Sequence, residues 1–279
     1  MEKILLAIDA MNPDKKALDF ACYLALLTKS KVTGVFLENL VTEEKPVIRK
    51  VLGMASVGWE VDEFAVEMKA RSEETERNIK MFREGCILRE VCFDVHHDKG
   101  VPSKELVRES RFADLIVVDA ETSFNKVYEG TPTGFVREVM RHAECPVVIV
   151  PGNFNAIDEV VFTYDGSASS VFAIKQFTYL FPQYYNKKIT ILQVNESGVW
   201  EEPDRRQFRE WLQDHYTDLQ FEAMKGKPDD TLFSKLFNRK NMFLVMGAYG
   251  RNAISQFFKQ SSADLLIRTV EQPIFIAHQ

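Results

Sequence analysis

The 279-residue chain is 46% hydrophobic and 27% charged, a globular composition that excludes disordered and fibrous chains, and its length favours two domains over one. Thirty-five Lys and Arg stand against 41 Asp and Glu, for a net charge of −6 with no sustained basic tract, which excludes general nucleic-acid binding because counterion release needs a basic face. No run of 18 uncharged apolar residues occurs, so no membrane span or signal peptide is expected, and a cytoplasmic chain with reduced cysteines is.

The first apolar run, Lys3 to Asp9, reads as a buried strand ending in an aspartate. Ala17, Phe20, Ala21 and Leu24 follow at helical spacing. The segment 41–85 is charge-rich and reads as a loop and a lengthened exposed helix. Beyond it, His96-His97-Asp98 ends a predicted strand, where side-chain alternation argues against a shared metal. Cys86 and Cys92 lack metal or redox spacing and read as buried thiols. Leu115 to Val118 is a strand, Phe135, Val136, Val139 and Met140 mark a helix, and Cys145 to Val150 closes the first half on another strand.

Pro151-Gly152-Asn153-Phe154-Asn155 is a turn-forming linker. After it the pattern begins again. Val160 to Asp165 repeats the first run at an offset of 156 residues. Gly226-Lys227-Pro228 repeats Gly100-Val101-Pro102 at 126, Phe243 to Met246 repeats Leu115 to Val118 at 128, and Gln272 to Ala277 repeats Cys145 to Val150 at 127. Four blocks in the same order define two copies of one unit, residues 1–151 and 156–279, the first carrying an extended helical insertion of roughly 30 residues within 41–85. Within the second copy Phe208, Trp211, Leu212 and His215 mark one helix, and Leu265, Leu266 and Thr269 mark the last. Strands rich in Val and Ile, apolar on both faces and alternating with amphipathic helices, predict an α/β fold: two tandem doubly wound five-stranded parallel-sheet domains.

In such sheets ligands bind beyond the carboxyl ends of the strands. There the second half places Asp165-Gly166-Ser167 after its first strand and Gly247-Ala248-Tyr249-Gly250 after its fourth, then nine residues to Gln260-Ser261-Ser262, where the two serines open the final helix. Backbone amides at that helix start, with small residues before it, would cradle a phosphate, and Asp165 could accept a hydrogen bond from a base or ribose. The first half reads Asp119-Ala120-Glu121-Thr122 and Gly130-Thr131-Pro132-Thr133-Gly134 at the same places. Its added carboxylates would repel a triphosphate, so that pocket is expected to be degenerate. No Gly-x-Ser-x-Gly occurs, and no hydrolase triad is expected.

Gly-x-x-Gly, the nine-residue spacing, the following serine, the strand-end aspartate and the Gly-x-Pro block together resemble the universal stress protein family, here as a tandem member. The resemblance implies adenine nucleotide alpha hydrolase-like domains packed as a pseudo-dimer, with the last strands, Val147–Val150 and Ile274–Ile276, meeting at its interface. It implies that Thr163, Asp165 and Val194, with Gly166 and Ser167 adjoining, line the adenine and ribose side, while Met246, Gly247, Gly250, Ser261 and Ser262 hold ribose and phosphates. ATP, with or without Mg²⁺, is the implied ligand, and a stress-associated regulatory role the implied function. The sequence departs from the pattern at Gln260, where a glycine is expected. That departure keeps open a nucleotide-free scaffold or carrier of another small ligand. A slow ATPase is the weaker alternative, since no general base is evident and Arg251 is the only nearby cation. A further contact between two chains, giving a homodimer, is compatible with this organisation.

Overall fold

The computed structural model describes residues 1–39, 57–125, 127–152, 154–237, 239–247 and 260–278, with only the backbone described for 57–64, 228–230 and 260–263. In the first half, β1 (Lys3–Asp9), α1 (Lys15–Thr28), β2 (Lys31–Asn39), α2 (Val57–Leu88), β3 (Phe93–Gly100), α3 (Pro102–Ser110), β4 (Leu115–Val118), α4 (Gly134–His142) and β5 (Val147–Ile149) follow in order. In the second, β6 (Glu159–Tyr164), α5 (Ala168–Leu180), β7 (Lys188–Asn195), α6 (Glu202–Leu212), β8 (Asp218–Lys225), α7 (Pro228–Leu236), β9 (Met242–Gly247), α8 (Gln260–Thr269) and β10 (Ile274–Ala277) repeat the alternation.

The ten described strands form one sheet, ordered β3-β2-β1-β4-β5-β10-β9-β6-β7-β8. Each half is parallel throughout, and the halves join where β5 and β10 pair antiparallel, Val148 opposite Phe275. The reason lies in the sequence of those strands. Their residues are buried on both faces, and a short apolar edge exposes unpaired backbone unless another strand covers it.

The helices divide between the two faces of the sheet. One buried cluster takes α1, α2, α5 and α6 through Phe20, Phe82, Phe177 and Phe208. The other takes α3, α4, α7 and α8 through Leu106, Val136, Leu232 and Leu266. Local signals fix the helix ends: Asp14 caps α1 by accepting from the Lys16 amide at 2.8 Å, and Ser167 caps α5 by accepting from the Ser170 amide at 3.1 Å.

The first half differs chiefly through α2, 32 residues long against 11 for α6. Its charged surface hides a stripe of Thr75, Asn78, Ile79, Phe82 and Cys86, all buried, at the spacing of a helix face. The loop expected before this helix lies outside the described residues. Two sequence expectations are corrected. Cys92 is exposed, because it precedes an edge strand, and His215 lies beyond the end of α6, where it meets the Trp211 ring at 4.9 Å.

Candidate functional site

In each half the strand order reverses beside the first strand, between β1 and β4 and between β6 and β9. The flanking crossovers pass to opposite faces of the sheet there, the arrangement that places the ligand crevice in sheets of this kind. Asp165 follows β6, and β9 ends in Gly247 beside it, the two strands running in register with Phe162 opposite Val245.

Asp165 sits in a tight turn. Gly166 has φ +80°, a left-handed conformation that favours glycine. Asp165 Oδ1 accepts from the Ser167 amide at 2.9 Å, and that turn leads into the capped start of α5. Its other oxygen, Oδ2, is buried and has no partner among the described residues. A buried carboxylate oxygen is costly without a donor. The Oγ of Ser169, in the first turn of α5, is also buried without a described partner.

The remaining expected residues divide by role. Thr163 is buried and donates its hydroxyl to the Val245 carbonyl at 3.0 Å, while Ser167 is committed to its cap. Val194 and Met246 are buried in the cluster under α7 and α8. Gly247 meets the backbone of Ser169 and Ser170, which a side chain at that position would strike. Its lack of a Cβ therefore lets α5 approach β9 and needs no ligand to explain it. Gly250 lies outside the described residues, and for Ser261 and Ser262 the backbone alone is described, within α8, which begins one residue earlier at Gln260.

The sequence reading missed an aromatic wall beside this turn. Tyr164 stacks on Trp200, with centroids 5.5 Å apart and planes 3° apart, and its hydroxyl donates to Asp204 at 2.6 Å. Burial and the Asp204 hydrogen bond raise the Tyr164 pKa, so its proton stays in place. The signal was Trp200, two residues after Gly198, but nothing in its spacing tied it to Tyr164.

The corresponding place in the first half is filled by the chain's own groups. Asp9 accepts from the Met11 amide at 2.9 Å on Oδ1 and from Asn12 Nδ2 at 3.1 Å on Oδ2, so each oxygen already has a partner. Asp119 stands where the second half has Gly247, and burial raises its pKa. At the start of α4, Glu129 Oε2 accepts from the Gly134 amide at 2.9 Å, while Oε1 accepts from Ser123 at 2.7 Å and Asn125 at 2.6 Å. Burial alone would raise Glu129, but these donors and the charge of Arg137 outweigh it and hold the carboxyl below its usual range. A protein carboxylate thus occupies the helix N-terminus that would otherwise suit a phosphate. From α2, Asn78 donates to the Ala10 carbonyl at 2.8 Å and so closes over the loop after β1.

Among the described residues no group of three or more His, Cys, Asp or Glu is placed to hold a metal, and no helix is long and apolar enough to cross a membrane. His96 and His97 separate as strand neighbours do, His96 to Glu109 at 2.9 Å and His97 to Glu38 at 2.6 Å.

No family model matches the sequence, and neither does any curated protein. Solved structures do. A universal stress protein from Archaeoglobus fulgidus is similar over 99% of this chain and 98% of its own, with TM-score 0.70 and 17% identity. A putative universal stress protein from Pseudomonas aeruginosa follows at TM-score 0.56 and 12% identity, covering 100% of this chain and 93% of its own. A protein described as functionally unknown, also from Pseudomonas aeruginosa, stands at 0.54 and 12%, covering 100% and 92%. The chain has the α/β fold of these universal stress protein structures.

Proposed function

We propose that this chain is a tandem universal stress protein that binds one adenine nucleotide in its second half and uses occupancy of that site in a cytoplasmic regulatory role. The observation that carries the reading is Asp165 Oδ2, a buried acceptor without a described partner at the topological switch point. A ribose hydroxyl or an adenine amino group supplies the donor it lacks, and the amides at the start of α8 suit the phosphates. Mg²⁺ would be carried by the phosphates, since no acidic cluster of the protein is placed for it among the described residues. The filled crevice of the first half supports one site per chain.

Titration calorimetry with ATP, with and without Mg²⁺, tests this. One nucleotide per chain is expected, with affinity reduced about tenfold or more in Asp165→Ala, the scale of one lost hydrogen bond to a charged group. Absence of both heat and thermal shift at millimolar nucleotide would sink the proposal. Gln260, placed in the first turn of α8, favours a second reading in which a ligand without a triphosphate takes the site. Mass spectrometry of whatever leaves the denatured protein distinguishes the two.

A further inference from the structure

The two halves meet about a pseudo-twofold axis whose position the register fixes. Val148 and Phe275 are equivalent by the 127-residue offset and lie opposite each other, flanked by Ile149 with Ile274 and Val147 with Ile276. The axis therefore passes between Val148 and Phe275. On the other face of the sheet the same offset relates Arg137 of α4 to Asp264 of α8, and these two form an ion pair, Nε to Oδ2 at 2.9 Å, with side chains 26% and 14% exposed.

Residues on a twofold axis face their own equivalents. In a seam built from two first halves Arg137 would meet Arg137 and Val148 would meet Val148. In one built from two second halves Asp264 would meet Asp264 and Phe275 would meet Phe275. The observed seam instead pairs a cation with an anion and a small side chain with a large one.

The layer under α1 and α5 extends the same asymmetry. Phe177, Phe243 and Phe275 come from the second half, packed edge to face with centroids 5.0 and 5.3 Å from Phe177. At the equivalent places, counted from the helix caps Asp14 and Ser167 for α1 and α5 and by the strand offsets of 128 and 127 for the others, the first half carries Leu24, Leu115 and Val148. In return the first half supplies Phe20, 6.4 Å from Phe243, where the second half has Ala173. Tyr23 and Tyr184 join their hydroxyls across the seam at 3.1 Å.

We infer that the seam is a heterotypic joint: each half's last strand and its flanking helices fit the opposite half of this chain and reject a second copy of their own kind. Two second halves would be overpacked, two first halves would leave a void, and either would set like charges face to face. This inference does not depend on nucleotide binding.

Single substitutions install each homotypic contact in the full chain. Val148→Phe places Phe against Phe, Phe275→Val places Val against Val, and Asp264→Arg places Arg against Arg. Thermal unfolding is expected to fall by about 3 °C or more in each. The reciprocal swap, Val148→Phe with Phe275→Val, is expected to regain at least half of the larger loss, and Asp264→Arg should be worse than the merely neutral Asp264→Asn. Should a single variant fail to fold, recovery in the swap still decides. Single variants indistinguishable from the parent, a swap no better than its worse single, or Asp264→Arg equal to Asp264→Asn would overturn the inference.

Discussion

Two glycine and aspartate positions that share one motif do separate physical work. Asp165 holds a turn with one oxygen, and its other oxygen is buried without a partner among the described residues, so under the proposed function its loss is the one that reads out ligand binding. Gly247 lies against the Ser169 and Ser170 backbone, and its role is packing. Gly247→Ala is therefore expected to destabilise the chain by about 1–3 kcal/mol through overpacking, in the absence of any nucleotide. Denaturant unfolding of the ligand-free protein checks this, and an unchanged midpoint would refute it. The sequence made both residues visible through spacing. It could not tell them apart, because a glycine that admits a phosphate and one that admits a helix look alike in a motif. Glu129 was invisible for a related reason: a carboxylate several residues before a helix has no signature until the loop folds back onto Gly134.

At the scale of elements, the long helix α2 seats an aromatic ring in a notch of the sheet. Gly34 of β2 has no side chain, and a Cβ there would come within 2.8–3.0 Å of the Phe82 ring. Phe82 fills that space and meets Phe36 and Phe93 edge to face at 5.7 and 5.9 Å. Phe82→Ala is expected to cost about 3–5 kcal/mol, the transfer term plus the cavity left behind. A smaller cost on denaturant unfolding would show that α2 is held elsewhere. Charge density in the sequence marked this region as an exposed helix. Its buried stripe was harder to see, since Thr75 and Asn78 interrupt the apolar pattern. Their polarity is satisfied internally, Asn78 by Ala10 and Thr75 by Glu38 at 3.2 Å, so the helix face is buried without being apolar.

The whole molecule was legible as a repeat because parallel strands buried on both faces must be apolar, and that leaves a readable pattern at each copy. Side-chain networks across strands leave none, yet they set the response to acid. Glu222 accepts from Arg239 Nη2 on both oxygens at 3.1 Å and from Lys235 at 2.9 Å, and Arg239 continues to Glu159 at 3.1 Å. Burial alone would raise Glu222, but Lys235 and Arg239 outweigh it and hold the carboxyl below its usual range. Glu38 is likewise held low against the effect of burial by His97 and Lys99. A carboxyl with a depressed folded pKa stabilises above its unfolded value of about 4.3, and that contribution disappears as pH falls through the folded value. Asp119, raised by burial, acts in the opposite sense, since protonation relieves it in the folded state. With Glu38, Glu129 and Glu222 on one side and Asp119 on the other, the melting temperature should fall as pH drops below about 4.5. Glu222→Gln should lower the melting temperature at pH 7 and narrow its gap to the parent as pH falls, because the parent then loses what the variant never had. Parallel profiles from pH 7 to pH 3 would show that this network does not govern the acid limb.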